Sequence, residues 1–154
     1  MAASRPLLTR RRELLAWGTA MVLATPARSQ DAPELAAALA AYSGGALIQR
    51  GRVRLEVAKL VDNGNVVPVS VSVDSPMTAA DHVAAIAIYN ERNPQREVAK
   101  FTLGPRAGKA AVATRVRLAT SQKLVAVARM SDGSFWSDSM DVVVVLAACI
   151  EGDP

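Results

Sequence analysis

The sequence predicts an all-β domain, an immunoglobulin-like antiparallel β-sandwich of about seven strands preceded by one short N-terminal helix. Three observations predict it. Apolar residues recur at every second position through most of the chain after residue 52, turn-forming residues interrupt that alternation at intervals of about ten residues, and no helical periodicity lies between the interruptions.

The helix comes first. Asp31 is suited to cap it, Pro33 stands in its first turn, and the Ala/Leu-rich run from Glu34 to Tyr42 stops at Gly44-Gly45. The period then changes to two. Val53, Leu55 and Val57 alternate with Arg52, Arg54 and Glu56, and Val67, Val69, Val71 and Val73 alternate with Pro68, Ser70, Ser72 and Asp74, so both segments read as half-buried strands. Asp62-Asn63-Gly64-Asn65 between them reads as a tight hairpin turn, because an Asn-Gly pair tolerates positive φ. Further strands are expected over Val83 to Tyr89, Val98 to Leu103, Ala111 to Ala119, Leu124 to Met130 and Val142 to Leu146, with breaks at Asn93-Pro94, Gly104-Pro105, Thr120-Ser121 and Asp132-Gly133.

Residues 1–29 read as a twin-arginine signal peptide, which places the mature protein in a periplasm. Arg10, Arg11 and Arg12 are followed by an apolar run from Leu14 to Ala24, too short to span a bilayer, and then by the small-residue stretch Ala27-Arg28-Ser29. Residues 30–146 form the sandwich, and residues 147–154 are a C-terminal tail. The leader holds five of the 18 basic residues and one of the 14 acidic ones, which leaves the mature chain with 13 of each sign. The high pI therefore belongs to the export signal, and neither a nucleic-acid surface nor a membrane-bound mature form is expected.

Catalysis and metal binding need converging groups, and the sequence supplies few. His82 is the single histidine; Asp81 is close enough to orient it, but no zinc or copper spacing surrounds it, so it reads as a loop residue. The glycines lack phosphate-loop order, and the scattered carboxylates nominate no acid and base pair. Arg115 and Arg117 share one strand face, where solvation is the ordinary fate of arginine and an acidic partner or anionic substrate the alternative. No catalytic residue, cofactor or metal is assigned.

Cys149 stands apart. A free cysteine is ordinarily a small buried hydrophobe, but this one follows the strand Val142-Val143-Val144-Val145, and four residues past Val145 extend about 13 Å beyond a sheet. As the single cysteine of the chain it forms no internal disulfide, so in an oxidising compartment an adduct, an intermolecular bond or a reactive role is expected.

These residues resemble a known family. Asp62-Asn63-Gly64-Asn65-Val66-Val67-Pro68-Val69, Val73-Asp74-Ser75-Pro76-Met77-Thr78, Asn93-Pro94, Thr114-Arg115-Val116-Arg117-Leu118-Ala119 and Met130-Ser131-Asp132-Gly133-Ser134 are similar, in order, to the SoxY sulfur carriers of thiosulfate oxidation. The resemblance implies a non-enzymatic carrier that pairs with a SoxZ-like subunit in a heterodimer and holds sulfur species covalently on its terminal cysteine, here Cys149. It also implies partner enzymes: a haem c enzyme that loads the thiol, a metal hydrolase that releases sulfate, and a sulfane dehydrogenase. Where the family has a Gly-Gly-Cys-Gly-Gly tail, this chain has Ala147-Ala148-Cys149-Ile150-Glu151-Gly152-Asp153-Pro154. Alanine costs roughly 1–2 kcal/mol in the left-handed conformations open to glycine, and Ile150 puts a stiff branched side chain beside the thiol. Glu151 and Asp153 disfavour a thiolate and repel anionic sulfur species, so loading falls to the partner enzyme. A diverged homologue serving as a non-carrier binding or scaffold module is the alternative reading of the same tail.

Overall fold

The computed structural model describes residues 33–147. The expected signal peptide, the expected cap Asp31 and the residues beyond Ala147, Cys149 included, lie outside them. Helix α1 spans Pro33–Ser43. The Gly45 and Gly44 amides donate to the Ala40 and Ala41 carbonyls at 3.0 and 3.3 Å with both glycines at positive φ, and this bond pair closes the last turn.

Nine strands follow among the described residues: β1 (Ile48–Arg50), β2 (Val53–Glu56), β3 (Leu60–Asn63), β4 (Val67–Val73), β5 (Val83–Asn90), β6 (Glu97–Thr102), β7 (Ala111–Val116), β8 (Gln122–Met130) and β9 (Phe135–Leu146). They form two sheets. The larger runs β1-β9-β8-β5-β6 with β3 also on β9, and the smaller runs β2-β4-β7. The alternation read from sequence is the alternation of burial: Val67, Val69, Val71 and Val73 face inward from β4 and meet Ile86, Ile88, Leu124, Ala126 and Val142 of the larger sheet. Helix α1 covers part of that sheet's outer face, seating Leu35, Leu39 and Tyr42 against Ala87, Tyr89, Val125, Val127 and Phe135.

The all-β sandwich with its single short helix is as expected, but three details differ. Asn63-Gly64 does not close a hairpin between β2 and β4. The chain leaves β2, crosses to the other sheet, pairs as β3 with the end of β9 and returns as β4 to pair with β2. Both β3 and β1 run parallel to β9, so the sandwich is not wholly antiparallel. At three and four residues these strands are too short for a period to show. The last strand begins at Phe135 and not near Val142, because Ser137, Asp138 and Ser139 break the apolar pattern without breaking the ladder to β8.

Asp138 explains why a carboxylate is tolerated there. It accepts the Leu55 amide of the edge strand β2 at 2.9 Å and the Ser139 amide at 2.8 Å, satisfying a donor that no strand reaches. Asp138→Ala is expected to cost about 1–3 kcal/mol by leaving the Leu55 amide unpaired. Urea unfolding checks this, with Asp138→Asn retaining most of the stability.

The β8–β9 turn carries a pH signature. Ser134 donates from its amide to the Asp132 carboxylate at 2.8 Å, and these hydrogen bonds, above all those to Ser134, hold the Asp132 carboxyl below the ordinary aspartate range. The lower folded value means that the contribution is complete above the unfolded aspartate range and is lost as pH falls through the folded value. Asp132→Ala is therefore expected to lower stability at neutral pH and to match the parent in strong acid, as thermal unfolding across pH would show.

Candidate functional site at the end of the last strand

The last strand is held at its end by several hydrogen-bond partners. The Val143 amide donates to the Lys59 carbonyl at 2.8 Å, the Val144 amide to Ser121 Oγ at 2.9 Å, and the Gly64 amide to the Leu146 carbonyl at 2.8 Å, while the Leu118 amide donates to the Gly64 carbonyl at 2.8 Å. Two segments, residues 59–64 and 118–121, thus clamp β9 as far as Leu146, and β3 fixes its register there through Leu60↔Val143, Val61↔Val144 and Asn63↔Leu146. Cys149 lies three residues further on and outside the described residues.

The loops at this end are rigid for a polar reason. Asn93 Oδ1 accepts the Ala119 amide at 3.0 Å and Gln122 Nε2 at 2.7 Å, and Asn93 Nδ2 donates to the Arg117 carbonyl at 2.7 Å. Gln122 Oε1 accepts the Arg92 amide at 2.8 Å, and Asn90 Oδ1 accepts the Asn93 amide at 3.0 Å. Buried Asn90 and Gln122 thereby hold the 90–96 and 117–122 loops together, and Ser121 carries that rigidity to β9. The root of the tail is a fixed platform.

The other residues singled out from sequence are placed elsewhere. His82 Nδ1 is 3.1 Å from the Thr78 carbonyl, and the His82 amide donates to Ser131 Oγ at 3.1 Å. Its neighbour Asp81 pairs with Arg52 at 3.4 Å instead of orienting the ring. No group of three metal-ligating side chains occurs among the described residues. Arg115 and Arg117 are exposed, as expected. A cleft of about 530 Å³ gathers Arg50, Arg52 and Arg54, but Asp138, Asp81 and Glu56 offset them at 4.0, 3.4 and 3.9 Å. Arg52 also lies over the Trp136 ring at 5.8 Å, so this cluster is a charge-balanced corner of the fold.

Sequence reasoning missed one feature of the platform. Val143, Val145, Leu146, Leu60 and Val66 expose their side chains beside the root of the tail. The signal was present in Val142-Val143-Val144-Val145-Leu146, since a strand apolar at both parities exposes one set unless both its faces are covered.

Residues 39–149 match the family model described as "Sulfur oxidation protein SoxY", a span that includes the end of β9 and Cys149. The chain belongs to the SoxY family. SoxY proteins are sulfur carriers of the Sox system and not enzymes in their own right. The chain is similar to the solved sulfur carrier protein SoxY from Chlorobium limicola f thiosulfatophilum, at 28% identity and a TM-score of 0.59 over 70% of this chain and 89% of that one. It shares its fold with a superoxide reductase (neelaredoxin) from Ignicoccus hospitalis, at 21% identity and a TM-score of 0.54 over 61% of this chain and 80% of that one. The superoxide reductase from Nanoarchaeum equitans has the same fold at 14% identity and a TM-score of 0.52, over 62% of this chain and all of that one. Comparison with curated protein sequences gives no match.

Proposed function

We propose that this SoxY-family chain is a periplasmic carrier that holds sulfur intermediates on the Cys149 thiol and presents them to partner enzymes as one subunit of a SoxYZ-type heterodimer. One observation carries the reading: the family match runs to residue 149, so its last matched position is the chain's single cysteine, three residues beyond the clamped end of β9. A rigid root followed by a short extension lets a thiol enter a cleft while the sandwich stays outside it.

The chemistry follows from the thiol. Joining thiosulfate to Cys149 forms one S–S bond and releases the thiol proton and two electrons, which a haem c partner accepts. Water then attacks the terminal sulfonate sulfur at a metal hydrolase, releasing sulfate and leaving a persulfide on the carrier; a sulfane dehydrogenase takes six electrons from the outer sulfur while three waters supply its oxygens, and a second hydrolysis releases sulfate and restores the thiol. The chain's own part is to supply one unpaired thiol, to keep it away from the sandwich surface and to carry it between sites. The Arg11-Arg12 leader fits delivery of the folded protein by the twin-arginine route.

Reconstitution tests the proposal. Thiosulfate-dependent reduction of the haem partner is expected to require this chain and a SoxZ-like subunit together, and reduction at the full rate without this chain would contradict it.

A further inference from the structure

The outer face of the larger sheet is covered at one end and bare at the other. Helix α1 seats on Phe135, Val125 and Val127, and a polar band of Ser139, Asp141 and Lys123 follows along the same face. Beyond it lie Leu60 and Val143, directly paired, then Val145, with Leu146 and Val66 at the margin. Each of these five is 54 to 64% exposed, and they are five of the six large exposed hydrophobic side chains among the described residues. Among the described residues the flanking strand β3 pairs on one side only, with β9, which leaves a free backbone edge beside the strip. An apolar strip joined to an open strand edge is what a soluble chain ordinarily hides.

We propose that this strip and the free edge of β3 are the surface on which the partner subunit docks, and that the partner presents an apolar strand edge flanked by a cation for Asp62. The inference rests on the heterodimer reading above and adds its location. Size decides against the chain's own tail as the cover. The strip exposes five large aliphatic side chains by more than half, whereas residues 148–154 hold one, Ile150. A partner burying about 800 Å² takes the strip as its apolar centre.

Parity decides against a second copy. In antiparallel edge-to-edge pairing only residues of like facing meet, so Asp62, which faces outward with Leu60, falls opposite Ala58, Leu60, Asp62 or Gly64 of the other copy, none of them a cation. Every such register strips water from a carboxylate with no cation directly opposite, and a different chain bearing Lys or Arg there resolves the conflict. Docking at this place sets the partner against the clamped root of the Cys149 tail. The partner then limits the directions in which the thiol swings.

Titration calorimetry of the mature chain with the SoxZ-family subunit of the same organism tests the surface. The double variant Val143→Lys/Val145→Lys is expected to bind about a hundredfold more weakly, while Ala113→Lys, on the exposed face of the smaller sheet, binds as the parent does. Hydrogen exchange on the unaltered complex needs no substitution and is expected to slow at residues 59–66 and 141–146. Unchanged affinity of the double variant, or exchange slowed elsewhere instead, overturns the surface while leaving the carrier reading intact. Failure of the parent to bind overturns both the surface and the heterodimer, and self-association through the strip overturns the choice of occupant. Sulfur adducts on Cys149 are read independently of all these outcomes.

Discussion

Cys149→Ser is expected to bring thiosulfate-dependent haem reduction in the reconstituted system down to the level seen without this chain, with thermal unfolding unchanged. The loss is complete because the chain has one cysteine and no second thiol can take over. A serine hydroxyl at neutral pH offers neither the thiolate nucleophile nor a sulfur atom for an S–S bond. The unchanged stability follows from the clamp: β9 is held as far as Leu146 by backbone and Ser121 bonds that the substitution does not touch. Retention of even half the parent rate would mean that sulfur travels by another route.

A second large effect is expected from giving the tail the glycines of its family. Replacing Ala147, Ala148, Ile150 and Glu151 with glycine is expected to raise the single-turnover rate of loading at the haem partner by about tenfold or more. The estimate rests on one left-handed position at roughly 1–2 kcal/mol, against about 1.4 kcal/mol for each factor of ten. Removing the branched Ile150 beside the thiol adds to it, as does removing the Glu151 charge that repels an anionic substrate. The parent tail then works as a slow-loading variant of the family pattern. An unchanged loading rate would mean that the clefts of its partners accept alanine and isoleucine as readily as glycine.

Much of the fold was legible because burial on one face of a strand writes a period of two into the sequence. The valines of β4 alternate through seven residues, and that alternation is their burial. Helix α1 was legible from its stop signal, since Gly44 and Gly45 do take positive φ. The short strands β1 and β3 were not legible, because their existence depends on β9, roughly 80 residues away; the turn read at Asn63-Gly64-Asn65 does form, but the strands it joins, β3 and β4, pair with other strands and not with each other. Only the last five of the twelve residues of β9 were read, since Asp138 is spent on the Leu55 amide, a partner that local sequence does not reveal. At the site, the singular cysteine was legible from counting alone. The platform beneath it was not, because Asn90, Asn93, Ser121 and Gln122 look like ordinary loop residues until the fold brings them to β9.

The central claim is that Cys149 holds sulfur in the working protein, and intact mass spectrometry of the mature chain, taken from cells oxidising thiosulfate and compared with and without reductant, tests it most directly. Reductant-sensitive additions of sulfur, sulfonate or thiosulfonate are expected, and they vanish in Cys149→Ser. A bare thiol in protein from actively oxidising cells would contradict it and leave a SoxY-fold binding module in place of a carrier.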